Sequence, residues 1–272
     1  MKIRTLIVSS LLILVAACHH EPPNVITEMG YIDPSKMPHG EETINPIRLE
    51  ALKVTATSLG AQGALAWRAW HINQALTKQA PYLDRVFDFN QLLIGNNVMP
   101  PILVKADHSL NLADNDTIRF ADKTYEILKP ARFVTTPPTW RTYLWMNYKK
   151  PDFPDNTLLP RDQVESTAWN NFLKEGWKHG LQQANGIFAA NLSGLKRDYL
   201  GMVIYRDLLA QNMISAPYIA KANLGVTGDT QQLRINDQIM RITAHSALQP
   251  DSSQWEAVIP KSTATQEPNM LP

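Results

Sequence analysis

Fifty consecutive residues without a proline, from Asp162 to Gln211, constrain this chain more than any other stretch. Within them Trp169, Leu173, Trp177, Leu181, Ala184, Phe188, Leu192, Leu195, Tyr199, Met202 and Leu209 keep the spacing of one helical face. At 1.5 Å per residue the stretch spans about 75 Å, longer than a compact domain of this size. The spacing therefore predicts one long helix or two in line, with a bend near Gly176, Gly180 or Gly186. Such an element is a scaffold on which the rest packs.

A second helix is predicted from Asn45-Pro46 to about Gln79, with Asn as the cap, Pro where its missing donor costs nothing, and Pro81 as the stop. Leu49, Leu52, Ala56, Leu59, Gly63, Ala66, Trp67 and Trp70 draw its apolar stripe, with Trp67 and Trp70 expected as core anchors. The run Gly60-Ala61-Gln62-Gly63-Ala64 has side chains small enough for another helix to approach closely. No strand precedes it, so packing is favoured over phosphate binding.

Between the helices, Val98 to Val104, Thr117 to Phe120 and Thr124 to Leu128 read as short strands of a small sheet. Asp114-Asn115-Asp116 reads as a turn, since the glycine and distal glutamate of a calcium loop are missing. Later, Gly225 to Asp229 reads as a loop, and Leu233 to Ile242 as a hairpin turning at Asn236-Asp237 and joining the same sheet. The fold class expected is α+β, helix-rich, with two long helical segments packed on a small sheet. The double proline Pro137-Pro138 makes Arg132 to Trp140 an extended surface segment. Trp140, Tyr143 and Trp145 crowd beside it, either as a partner-docking surface or as a cap on the sheet.

The chain begins with Lys2 and Arg4, an apolar run of about nine residues, and Val15-Ala16-Ala17-Cys18. That run is too short for the roughly 20 residues of a membrane span. Cys18 is the only cysteine, so a disulfide is not its purpose, and lipid attachment is the favoured role. Ala16-Ala17 as an ordinary cleavage site is the alternative. Three acyl chains, at about 0.8 kcal/mol per buried methylene, would make the anchor effectively permanent. His19, rather than Asp, follows the cysteine, which favours the outer membrane. The expected organisation is a signal peptide at 1–17, a proline-bearing flexible tether at 18–44, a single α+β domain at 45–259 and a disordered tail at 260–272.

Without Lys2 and Arg4, the 26 basic residues fall to 24 against 25 acidic ones, and they are interspersed, so no electrostatic case for nucleic acid exists. With 44% apolar and 19% charged residues the body is globular. His19, His20 and His39 read as solvated rather than metal-binding, no cofactor motif is present, and no catalytic set or metal-ligand pair occurs. The one enzymatic alternative is a peptidoglycan lytic transglycosylase acting through Glu165, because Glu165-Ser166 and Gly180-Leu181-Gln182-Gln183 faintly match that class. An unbroken helix would hold those motifs about 22 Å apart, so Glu165 is expected to be an exposed first-turn glutamate favoured by the helix dipole. The protein is expected not to be an enzyme.

Leu59-Gly60-Ala61-Gln62 with Ala66-Trp67-Arg68, Asn97 to Val104, Arg132 to Met146, Leu195-Lys196-Arg197-Asp198, Leu208 to Asp229 and Leu233 to Asp237 together resemble the DotC family. The resemblance covers nearly the whole mature chain. It implies an outer-membrane lipoprotein facing the periplasm, carrying palmitate on Cys18, in the core complex of a type IVB secretion system such as that of IncI-type conjugative plasmids. It also implies DotD-like and DotH-like partners in a multi-subunit ring, and it supplies no catalytic residues.

Overall fold

A computed structural model of the protein describes residues 30–40, 43–95, 97–112 and 116–256. The expected signal peptide with Cys18, residues 19–29 and 41–42 of the expected tether and the expected 260–272 tail lie outside the described residues. The helices are α1 (Pro46–Lys78), α2 (Ala80–Val86), α3 (Trp140–Leu144) and α4 (Gln163–Ala210). The strands are β1 (Val98–Met99), β2 (Ile102–Leu112), β3 (Ile118–Lys129), β4 (Arg132–Phe133), β5 (Tyr218–Gly228) and β6 (Leu233–Ala244). The protein is α+β, with two long helices and small antiparallel sheets. Two compact units divide it: residues up to Phe87 with Thr139–Leu195, and Asp88–Pro138 with the chain from Lys196 on.

In the first unit α1 starts as expected, with the Asn45 side chain accepting from Ile47 N at 2.9 Å and Pro46 in the first turn. Pro81 does more than end it, because it lies in the first turn of α2, where proline costs nothing. α1 and α4 pack parallel, since Arg48 meets Glu165, Thr57 meets Gly176, Ala61 meets Gly180 and Arg68 meets Asn185. Glycine makes this seam: a Cβ at Gly176 would fall 2.1 Å from the Thr57 carbonyl oxygen, and one at Gly180 2.2 Å from that of Ala61. Leu52, Ala56 and Leu59 close on Trp169 and Leu173 below it, and Ala64 on Trp177 further along.

Trp70 departs from the expected stripe and is 58% exposed. At about 100° per residue the buried side of α1 swings from the Leu52, Ala56, Leu59 face to the nearly opposite Ala69, Ile72, Leu76 face, leaving Trp70 outside. Residues 30–38, expected as tether, are held on this unit. Gly30 O accepts from the Trp169 indole at 2.8 Å, Asn170 bonds both backbone groups of Ile32, and Pro38 O accepts from Gln163 N. Ile32 joins the Trp169 core.

In the second unit, Leu103 with Tyr125 and Ile127 of the β2–β3 hairpin packs on Tyr205, Leu208 and Ile214. Lys129 and Arg197 converge on the buried Asp198 at 2.8 and 2.9 Å. Burial opposes ionisation of Asp198, but these bonds outweigh it and lower its pKa.

The expected single sheet is three separate two-stranded sheets among the described residues, β1 with β4, β2 with β3 and β5 with β6. Strands β2 and β3 also run through Lys105, Asp107, Asp122 and Lys123, which sequence polarity assigned to breaks. A two-stranded ribbon leaves both faces wet, so charged residues sit in it without desolvation. The turn expected at Asn236-Asp237 is likewise a bulge within β6, with Asn236 at φ 57° near Gly225 at φ 75°. The chain reverses instead at Asp229, whose carboxylate accepts from Gln231 and Gln232 N. The turn expected at Asp114 to Asp116 has only Asp116 among the described residues.

Candidate partner-docking surface

Thr139 and Thr142 form a capping box that starts the short helix α3. This box sends Trp140 inward, where it is 1% exposed and donates from Nε1 to Asp84 Oδ1 at 2.7 Å. The Arg141 guanidinium stacks 4.2 Å from the Trp140 ring centroid and also bonds Asp84. The bonds from Arg141 and Trp140 hold the Asp84 carboxyl below its ordinary value. Trp140 is thus a core residue, a correction to its expected place on a docking surface. Tyr143 is half-buried, and Trp145 alone of the three is well exposed, at 48%. Asn73 clamps the next residue by bonding both Met146 O and Met146 N.

Glu165 also differs from expectation. It is 7% exposed, accepts from Arg48 Nε and Nη2 at 3.1 Å each, and accepts from Arg161 N at 2.9 Å. The first turn is capped by Asp162, which accepts from Glu165 N. Burial raises the Glu165 pKa, but the bonds from Arg48 and Arg161 N prevail and leave it lowered. A proton donor needs the opposite shift. The carboxylate instead clips the start of α4 to α1, and Arg48 further bonds the carbonyls of Thr157 and Leu159.

The apolar surface missed by sequence lies on the hairpins. Leu110 stands opposite Phe120 and Leu112 opposite Ile118, so all four share one face of the β2–β3 tip, each more than half exposed. On β5–β6, Val226 stands opposite Ile235 with Leu233 two residues along, again more than half exposed. Leu110-x-Leu112 and Ile118-x-Phe120 carry the period-two signal that reveals such a face once the strands are known. Among the described residues no group of three or more metal-ligating side chains converges. No described helix is long and apolar enough to cross a membrane.

Among the described residues these features define a helical scaffold bearing hairpins whose apolar outer faces are exposed. The family model described as "type IV secretory system, conjugal DNA-protein transfer" matches residues 46–257, and the chain belongs to that family. A comparison with curated proteins gives no match. The protein is a component of a conjugative type IV secretion system.

Proposed function

We propose that this component is an outer-membrane-anchored lipoprotein of the DotC kind, a structural and assembly subunit of a type IVB core complex. The observation that carries the reading is the pair of hairpins with apolar outer faces, Leu110, Leu112, Ile118 and Phe120 on one and Val226, Leu233 and Ile235 on the other. An isolated two-stranded ribbon is marginal in water, and apolar faces and open strand edges call for cover. Neighbouring subunits supply that cover, and DotD-like and DotH-like proteins are the partners this reading names. The sequence ending at Cys18 supplies the anchor, facing the body into the periplasm. Function then resides in surfaces and not in catalysis, consistent with the engaged, ionised state of Glu165.

The test is purification from membranes in mild detergent, with palmitate labelling of the wild type and Cys18→Ser. The expected result is a labelled wild type migrating in a large multi-subunit complex and an unlabelled variant lost from the outer-membrane fraction. Equal labelling of the variant overturns the anchor, and a wild type that emerges alone overturns the assembly role.

A further inference from the structure

The first described residues are seated on the first unit, where Gly30 O accepts from the Trp169 indole and Ile32 is held by Asn170. Gly30 is buried, its φ of 124° favours glycine, and a Cβ there would fall 2.8 Å from Leu59 Cδ2 and 3.7 Å from Phe153 Cζ. Gly30 thus lies against both Leu59 of α1 and Phe153 of the loop before α4. Leu59 also lines a groove of about 330 Å³, walled on its other side by Pro151, Asp152 and Pro154, the neighbours of Phe153. Val54 and Thr55 carry this groove into a second, of about 610 Å³, over Ile47 and Ala51. Both have the size of sites that accept ligand-sized apolar groups. Val54 and Ile47, seven residues apart on one side of the helix, are 60% and 84% exposed.

Residues 25–29, which lead directly into Gly30, are Val25, Ile26, Thr27, Glu28 and Met29. In an extended segment Val25, Thr27 and Met29 share one side and Glu28 takes the other. Five residues at about 3.3 Å each span about 17 Å, and the helix from Leu59 back to Ile47 spans about 18 Å at 1.5 Å per residue. The segment therefore matches the apolar strip in length as well as in chemistry.

We propose that residues 25–29 lie along α1 from Leu59 toward Ile47, with Met29 in the first groove and Val25 in the second. The position of Gly30 selects this occupant, because a segment joined to the groove wall has an effective concentration in the millimolar range that a separate chain must outcompete. Glu28 then faces solvent, away from Asp152 and Glu50, which line the grooves. The consequence is a short leash. Counted from Cys18, the free chain ends at residue 25 rather than 30, so its greatest reach falls from about 43 Å to about 25 Å. The leash rests on the lipid anchor proposed above, whereas the seat in the grooves does not.

The experiment pairs Thr27→Cys with either Val54→Cys or Gln62→Cys in the full chain, oxidises each in membranes and maps the products by peptide mass. Both partner positions lie within five residues of Leu59, one toward Ile47 and the other away from it. The expected result is an intrachain bond to position 54 at least about tenfold more abundant than one to position 62, since a disulfide tolerates only a narrow range of Cα separations. Equal yields or an excess at position 62 overturn the proposal, as does a bond formed between two chains. Melting supplies the second measurement. Without a cover, Val54→Asp alters an exposed residue and is nearly silent. Under residues 25–29 it lowers Tm by about 2–4 °C, Val25→Asp does the same, and the double variant melts no lower than either. A silent Val54→Asp overturns the seat, and one that melts normally while losing partner subunits assigns the grooves to a partner. Should a cysteine pair fail to fold, the melting comparison decides. An intrachain bond between positions 27 and 54 in a chain that takes up no palmitate keeps the seat and removes the anchor reading with its leash.

Discussion

Adding one methyl group at Gly176 should weaken this protein, whereas the same change at Gly186 should strengthen it. Both glycines are within α4, where Gly→Ala gains about 1 kcal/mol of helix propensity. At Gly186 nothing lies within 4 Å of the added carbon, so the gain should appear undiminished. At Gly176 the carbon lands 2.1 Å from Thr57 O and 2.8 Å from Thr57 Cα, all backbone of the facing helix. Backbone cannot rotate away, so the helices must part by more than about 1 Å to restore ordinary contact. Parting them loosens the adjacent Trp177 and Leu173 contacts. Overpacking of this kind costs about 1–3 kcal/mol, and with no side chain able to yield we take the upper end. The net loss is about 2 kcal/mol, or about 4–8 °C in Tm for a protein of this size, against a rise of about 2–4 °C for Gly186→Ala. Thermal unfolding of the purified pair, followed by circular dichroism, measures both. A Gly176→Ala protein melting at or above wild type would refute the seam argument.

Glu165→Gln should cost about 3 kcal/mol, the low end for losing one charge of a buried pair, because it removes the charge facing Arg48, and urea unfolding of the variant checks this. Glu165 has a lowered folded pKa, so its contribution is fully present above about pH 4.3 and is lost as pH falls through the folded value. Asp198 behaves alike from about pH 3.9 downward, and acid titration of stability should be shallower in Glu165→Gln than in wild type. Trp140→Ala should cost about 3–5 kcal/mol, as a buried aromatic with a bonded indole, while Trp145→Ala stays within about 0.5 kcal/mol. Comparable melting of those two variants would show that α3 is not seated as described. Phe120→Asp should leave the melting temperature unchanged and reduce recovery of partner subunits from membranes, since its side chain touches solvent in the isolated chain.

Much of the fold is determined by sequence pattern alone. The cap at Asn45-Pro46, the absence of proline from Asp162 to Gln211 and the helical spacing of Trp169, Leu173 and Trp177 act over a few turns, where local geometry decides. The close approach at Gly60 to Ala64 was equally legible, because small side chains have the same meaning wherever the partner helix comes from. Local pattern does not determine which side of α1 is covered along its length, and that choice, made by distant segments, turned Trp70 outward. Nor does it reveal that a polar run belongs to a strand, since β5–β6, and β2–β3 beyond its packed base at Leu103, Tyr125 and Ile127, are held by pairing across a ribbon and not by burial of one face. The fate of each charge was also tertiary: Glu165 and Arg48 are separated by 117 residues, as are Arg68 and Asn185. Only the parallel docking of α1 on α4 gives Glu165 its counter-charge and sets Arg68 against the neutral Asn185, because electrostatic compensation depends on distances that the order of residues does not contain.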